Sequence, residues 1–295
     1  MRNIKTALKI SGSLILLSFI LSISIIYYLK LDNPVFLKNY IDVNYYEYEN
    51  MYTLSGFDIE LKYIANIEDK RKVVSVIFEE APELNFYTSE NGKKGAIQLY
   101  ENTNDNIESY GRYGIHKVFL NFNLPKEGYK LDETIKLSKA KVKFDDELVL
   151  DVDLGKIILS KINKEASPLE RPSLTGSSDG YSQLFFWVKD YIQVSKIYSQ
   201  LFEDTRDLFD FNINKVGDIE ERDLIYNKGD NLFFTSQFNN IDDPIKKLYT
   251  YDIKPIMYFK DRMGKEYEER IYNITYNPYF TFYNIYRYLV EMEEI

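Results

Sequence analysis

Gly176-Ser177-Ser178-Asp179-Gly180 has the G-x-S-x-G spacing of a nucleophile turn, in which a serine oxygen is raised between a strand and a helix. Its surroundings do not suit that chemistry. A proline-bearing segment precedes it, strand-like alternation follows it, and the one histidine, His116, comes earlier in the chain rather than later. Ser138-Lys139-Ala140-Lys141 has the S-x-x-K spacing of a serine–lysine nucleophile, but the segment alternates like a strand and no K-T-G follows. Asp210, Asn212, Asn214 and Glu221 fall at positions 1, 3, 5 and 12 of a calcium loop. Position 6, where a sharp turn needs glycine, is Lys215. Asp151-x-Asp153-x-Gly155 is ambiguous in the same way. Glu79-Glu80 and Glu268-Glu269 are adjacent acids of the kind a glycosidase sets at a fixed separation, yet among 46 Asp and Glu such pairs arise by chance. The absence of cysteine removes thiol chemistry, and one histidine without cysteine argues against zinc. His116 sits on an apolar strand face and reads as a core or rim residue. These residues point to no catalytic set, no cofactor and no metal.

The elements that carry them are mostly strands. Phe57, Ile59, Leu61 and Tyr63 alternate with charged residues, Val73 to Phe78 forms a second apolar run, and Asn91-Gly92 signals a turn. His116 to Leu124 alternates and ends at Pro125. The clearest hairpin places Ala140, Val142 and Phe144 opposite Leu148, Leu150, Val152 and Leu154. Its outer rows are Lys139, Lys141 and Lys143 against Asp151 and Asp153. Residues 164–180, rich in Pro, Gly and Ser, read as a linker. Beyond it, strands are expected at 184–188, 192–198, 208–214, 232–238, 253–259 and 267–274. Asp261-Arg262-Met263-Gly264 would be a hairpin loop, and Pro255 would mark an edge or bulge. A closing helix is expected from Asn277-Pro278, burying Phe282, Ile285, Tyr286, Leu289 and Met292.

The first 30 residues carry an address. Arg2, Lys5 and Lys9 precede an uncharged, mostly apolar run from Ile10 to Leu29. At about 1.5 Å per residue this run as a helix would be about 30 Å long, the thickness of a bilayer core. It is longer than the apolar part of a cleaved signal and lacks a clear small-residue cleavage site, so an uncleaved signal anchor is expected. The basic-inside bias assigns residues 1–9 to the cytoplasm and the rest of the chain to the outside. Tyr27 and Tyr28 suit the interface, and Ser18 and Ser22 form a small-xxx-small pair.

Residues 1–30 hold four cations and no acid, leaving 33 Lys and Arg against 46 Asp and Glu, a net charge of −13. That balance argues against nucleic acid as a partner. An exported chain without cysteine has no disulfide frame. Tyrosine (27) and phenylalanine (19) are abundant, which strand propensity largely explains.

The basic leader, the apolar run and an exterior rich in Ile, Lys, Asn and Tyr carry a resemblance, together with segments such as DVDLGKIIL (151–159) and YNPYFTFYNIYRYL (276–289). The chain resembles uncharacterised single-pass extracytoplasmic proteins of low-GC Gram-positive bacteria. The resemblance implies an extracellular β-sandwich and carries neither an activity nor functional residues.

The expected architecture is mainly β. A cytoplasmic tail (1–9) and a transmembrane signal anchor (10–29) lead to a stalk (30–52). A first β-sandwich, Ig-like domain (53–163), the linker (164–180) and a second sandwich with the C-terminal helix (181–295) follow. The expected function is non-catalytic binding or scaffolding at the cell membrane, with the bilayer held by residues 10–29 and another membrane or surface protein as partner. Binding of a cell-wall glycan or small ligand is the alternative, with Tyr276, Tyr279 and Tyr283 as candidate contacts. A two-carboxylate hydrolase is a third reading.

Overall fold

The structure, a computed structural model, describes residues 2–48, 51–54, 59–89, 107–125, 134–161, 167–170, 173–177, 180–213 and 224–295. The turn expected at Asn91-Gly92, Phe57, and Asn214 to Glu221 of the calcium-type spacing lie outside these residues. The chain is mainly β, with four sheets and three helices: α1 (Arg2–Tyr28), α2 (Gln200–Asp204) and α3 (Phe282–Glu291) among the described residues.

Alternating side chains build two cores. In the first half, a five-stranded sheet runs Val35–Phe36, Ile59–Asn66, Tyr113–Asn121, Tyr87–Ser89, with Glu108–Tyr110 also paired to Tyr113–Asn121. It faces an eight-stranded sheet across a core that includes Phe36, Tyr63, Val118, Phe122, Val142 and Phe144. In the second half, one four-stranded sheet (Ser173–Gly176, Tyr181–Trp187, Asn231–Phe238, Phe209–Ile213) packs with another (Leu224–Tyr226, Ile192–Tyr198, Ile256–Asp261, Glu266–Arg270). Phe186, Phe234, Phe211, Val194, Met257 and Phe259 fill that core.

The lysine and aspartate rows lie on paired strands, as expected. Lys141 lies opposite Asp151 and its Nζ is 2.9 Å from Asp151 Oδ1. Lys139 lies opposite Asp153, but Asp153 Oδ2 takes its ion pair from Lys38, at 2.5 Å. The Asp261–Gly264 loop is also as expected. Asp261 N–H donates to Lys265 O at 3.0 Å, and Gly264 takes the positive φ (82°) that the turn requires.

Residues 30–52 are not a stalk. Asn39–Tyr48 is a ten-residue strand inside the eight-stranded sheet, whose order is Ile274–Tyr276, Thr250–Ile253, Asn39–Tyr48, Val149–Lys161, Thr134–Phe144, Val73–Phe78. Met51–Leu54 continues it as a hairpin arm, paired in turn with Asn123–Pro125. Asn39–Tyr48 runs parallel to both of its long-range neighbours, Val149–Lys161 and Thr250–Ile253. Ile41, Val43 and Tyr45 enter the first core, while Tyr40 stacks against Tyr251 of the second half at 5.4 Å between ring centroids. Strand pairing therefore crosses the boundary drawn at 164–180. In that segment Ser173–Gly176 is itself a strand, and Leu169 is buried and bridged to Val188.

The crossing is made by one long hairpin that straddles two sheets. Its outer ends, Thr250–Ile253 and Ile274–Tyr276, pair in the eight-stranded sheet; its inner ends, Ile256–Asp261 and Glu266–Arg270, pair in a four-stranded sheet. The strands expected at 253–259 and 267–274 are thus each divided. Pro255 supplies the reason on one arm: it has no N–H for the ladder. Arg270 closes the break by donating to Lys254 O at 2.7 Å, and Ile271 N–H donates to Pro255 O at 3.0 Å.

Helix α3 begins at Phe282, later than Asn277-Pro278 suggested, because Thr281 is its cap: Thr281 Oγ1 accepts from Asn284 N–H at 3.1 Å. Its buried residues are Ile285, Tyr288 and Leu289, whereas Phe282 is 42% exposed. In α1, Ser22 and Ser24 turn their hydroxyls onto the carbonyls of Ser18 and Ile20. Among the described residues no helix is long and apolar enough to cross a membrane, which leaves the expected span over 10–29 without structural support.

Gly155 is where the parallel strand meets its partner. Its φ is +88°, and a Cβ there would stand 2.5 Å from Asn39 O. Gly155→Ala is expected to cost about 2 kcal/mol or more, read as a lower denaturant midpoint in urea unfolding. An unchanged midpoint would show that the strand can shift to admit a side chain.

Candidate functional site

The three tyrosines expected to act together are separated. Tyr276 is half-buried, packs its ring 5.4 Å from Phe238 and donates its hydroxyl to Lys247 O at 3.0 Å. It is a seam residue. Tyr279 and Tyr283 are 76% and 64% exposed, beside and on α3.

A different surface holds a pocket. It has a volume of about 470 Å³ and lies on the sheet of Ile192–Tyr198, Ile256–Asp261 and Glu266–Arg270. A β-bulge between Val194 and Lys196 builds one wall. There Ser195 and Lys196 are both exposed, and Ser195 Oγ donates to Tyr258 O at 3.1 Å. The register then places Lys196 opposite Tyr258, Tyr258 opposite Glu268, and Lys260 opposite Glu266. Lys196 Nζ stands 4.0 Å from the centroid of the Tyr198 ring. Lys260 Nζ pairs with Glu266 at 3.0 Å. Phe259 stacks on Tyr267 at 5.5 Å below. Partial burial, with Glu268 beside it, holds the Tyr258 hydroxyl above its ordinary pKa, so it remains a hydrogen-bond donor. The pocket thus offers aromatic faces, a phenol donor and ammonium groups on a chain of net charge −9.

The Glu268-Glu269 pair does not share a face. Along their strand, Glu268 lies opposite exposed Tyr258 and Glu269 opposite buried Met257, so the two point to opposite faces. Glu80 accepts a backbone N–H from Lys139 at 3.0 Å. Ser138 and Lys141 lie within the strand Thr134–Phe144. Asp210 and Asn212 lie on the exposed side of the strand Phe209–Ile213. Asp153 Oδ1 accepts from Gly155 N–H at 2.9 Å. Ser177 is followed by the strand Tyr181–Trp187, not by a helix, and Ser178 and Asp179 lie outside the described residues. Among the described residues no group of three or more His, Cys, Asp or Glu could hold a metal ion. His116 is buried and stacked on Tyr63 at 4.8 Å.

A strongly perturbed carboxylate, Asp42, lies in the seam between the halves. Asp42 is 1% exposed. Its Oδ2 accepts from Lys254 N–H at 2.8 Å and from Ser199 Oγ at 3.3 Å. Lys254 Nζ donates to Asp42 O at 3.0 Å and pairs with Asp252 at 2.5 Å. Ser199 also caps α2, its Oγ accepting from Phe202 N–H. Burial pushes the Asp42 carboxyl up to about 6, against the opposing pull of the Lys254 backbone N–H, Arg270 and Lys254. Sequence reading missed this group because nothing local to residue 42 distinguishes it from an exposed strand aspartate. Its partners are 157 and 212 residues away. The pocket was equally hidden, since Lys196, Tyr258 and Glu266 meet only through the register.

No known protein family matches the sequence, and no curated protein matches it. One solved structure is titled as a chaperone–tip adhesin complex vital for synergistic activation of CFA/I fimbriae biogenesis. It aligns over 82% of this chain and 85% of that one, at 8% identity and a TM-score of 0.14. A superposition of that quality carries neither fold nor function across.

Because the folded Asp42 carboxyl titrates near 6 and the unfolded one near 4, the folded protein holds this proton more tightly. Its contribution to stability is full below pH about 4 and is lost as pH rises past about 6, a change of about 3 kcal/mol for a shift of two units. Urea unfolding from pH 4 to pH 7 is therefore expected to show the wild type losing stability relative to Asp42→Asn. A difference independent of pH would mean that Asp42 titrates normally.

Proposed function

We propose that this protein is a non-catalytic binding module held at the outer face of a cell membrane. The observation that carries the reading is the open aromatic and cationic pocket of Lys196, Tyr198, Tyr258 and Lys260, on an outward sheet face. Its volume falls in the range of ligand sites, and rings beside ammonium groups suit a partner with flat apolar and anionic parts.

The anchor is the uncharged run 10–29, behind Arg2, Lys5 and Lys9. Every large apolar side chain described from Ile10 to Ile23 is more than half exposed, with no core around it. Large apolar side chains left in water are unfavourable, and a bilayer is a solvent that accepts them. On this reading residues 1–9 are cytoplasmic and both cores are extracytoplasmic.

The leading occupant of the pocket is another membrane or surface protein. A wall glycan or small ligand is the second reading, favoured by a concave site of this size where a protein-only contact would be flatter.

The test is crosslinking and affinity capture of the full-length protein from its own membranes. A partner recovered in near-equal amount by the wild type is expected to be lost from Lys196→Ala and Tyr258→Ala. Lys196→Ala should change folding stability by no more than about 0.5 kcal/mol, as exposed positions do, and Tyr258→Ala, partly buried in its strand, by about 1 kcal/mol. Recovery of the protein alone would turn to titration with glycan fragments, where Tyr258→Ala is expected to weaken binding about tenfold. Variants that capture and bind like the wild type would remove the pocket from the function.

A further inference from the structure

The point where α1 joins the folded body is clamped, and an exposed aromatic surface lies beside the clamp. Leu29 O accepts from the Tyr113 hydroxyl at 2.7 Å. Leu31 is 2% exposed and is held at both backbone groups by Asn66: its N–H donates to Asn66 Oδ1 at 3.1 Å, and Asn66 Nδ2 donates to its carbonyl at 2.6 Å. Only Lys30 separates these two attachments, so no slack lies between the helix and the body.

From Tyr113 a chain of rings leads outward. Phe282 stacks on Tyr113 at 6.0 Å with 14° between planes, and Tyr286 stacks on Phe282 at 6.4 Å. The fit is close: a Cβ on Gly111 would stand 3.0 Å from the Phe282 ring. Beyond Phe282, Tyr283 is 64% exposed and Val290 40%, and Tyr279 just before the helix is 76% exposed. Arg287 stands 6.0 Å over the Tyr283 ring. Tyr27 and Tyr28, in the last turn of α1, are 82% and 62% exposed.

The apolar residues of α3 therefore extend past the stripe of Ile285, Tyr288 and Leu289 that faces the core. Phe282, Tyr283, Tyr286 and Val290 lie one turn or less apart on a second face. Tyrosine rings with a neighbouring arginine are what the headgroup level of a bilayer accommodates.

We propose that the second face of α3, with Tyr279, is a membrane dock: it lies in the interface around the exit of α1 and seats the body directly on the lipid. The proposal rests on the reading of residues 10–29 as the anchor. Given that anchor, the contacts of Tyr113 with Leu29 O and with the Phe282 ring set this face next to the point where the chain leaves the lipid.

The test uses the full-length protein in phosphatidylcholine vesicles whose acyl chains are brominated near the headgroup. The single native tryptophan, Trp187, is first replaced by Phe. One reporter is then placed as Tyr283→Trp, a second as Tyr279→Trp, and a third as Tyr27→Trp for the anchor. Loss of emission at 27 together with loss at 283 and 279, each with a blue shift against detergent, is the expected result. Quenching at 27 with full emission at both 283 and 279 would overturn the dock while keeping the anchor, and would leave that face to a protein partner. Full emission at all three would overturn the anchor, and the dock with it.

Discussion

The structure depends on one strand having two different faces and two parallel partners. Asn39–Tyr48 alternates strictly through its centre: Ile41, Val43 and Tyr45 turn into the first core, and Tyr40, Asp42 and Asn44 turn toward the second half. A one-residue slip would exchange the two sets, sending Asp42 into the core of Phe78 and Phe144 and exposing Tyr45 to polar partners. The register is therefore enforced from both sides. Gly155 admits the backbone of Asn39 on one flank, and Thr250 N–H bonds to Lys38 O at 3.1 Å on the other.

The rest of the seam follows from that placement. Burying a carboxylate at position 42 requires donors, and those available come from the second half: the backbone of Lys254 and the hydroxyl of Ser199. Lys62, 6% exposed, reaches Thr250 Oγ1 at 3.2 Å and Glu60 at 3.0 Å, and Lys156 pairs with Asp204 across the same boundary. Ser199 both caps α2 and meets Asp42, so the short helix that closes one side of the second core is positioned by the first half. The hairpin from Thr250 to Tyr276 then carries order outward. Its outer ends are fixed beside Asn39–Tyr48, and its inner ends hold Tyr258, Lys260 and Glu266 in the pocket wall. The candidate binding face is thus built on a strand pair whose other end lies in the shared sheet.

Local pattern was enough wherever the partners are close in the chain. The lysine and aspartate rows, the Asp261–Gly264 turn, the strand Ile192–Tyr198 and the burial of His116 follow from period-two alternation and turn chemistry. It failed where pairing is remote. Residues 39–48 alternate as clearly as any strand, and Met51–Leu54 pairs with their end as a local hairpin, yet their two parallel neighbours are more than 100 residues away, and parallel pairing over such distances leaves no adjacent turn as a signal. Pro255 was legible as an interruption, but not as a crossing between two sheets. The N-terminus of α3 was misplaced because Asn277-Pro278 and Thr281 both offer start signals, and only the hydrogen bond to Asn284 N–H decides between them. The aromatic residues near the C-terminus were visible as a group. Their division into a seam residue, Tyr276, and exposed ones, Tyr279 and Tyr283, is set by packing against Phe238 and Tyr113, which lie in other elements.

If Asn39–Tyr48 is the element on which both halves rest, its amides should be among the last to open, and the halves should not open separately. Native-state hydrogen exchange of the full-length protein in mild denaturant tests this directly. The account requires the amides of 41–45, 157–159 and 251–253 to exchange with one common opening free energy, equal to that of global unfolding and shared by Phe186 and Phe234 in the second core. Exchange of the 184–238 core with a lower opening energy, while 41–45 and 157–159 stay protected, would contradict it and show the seam to be a contact between two independently folding halves.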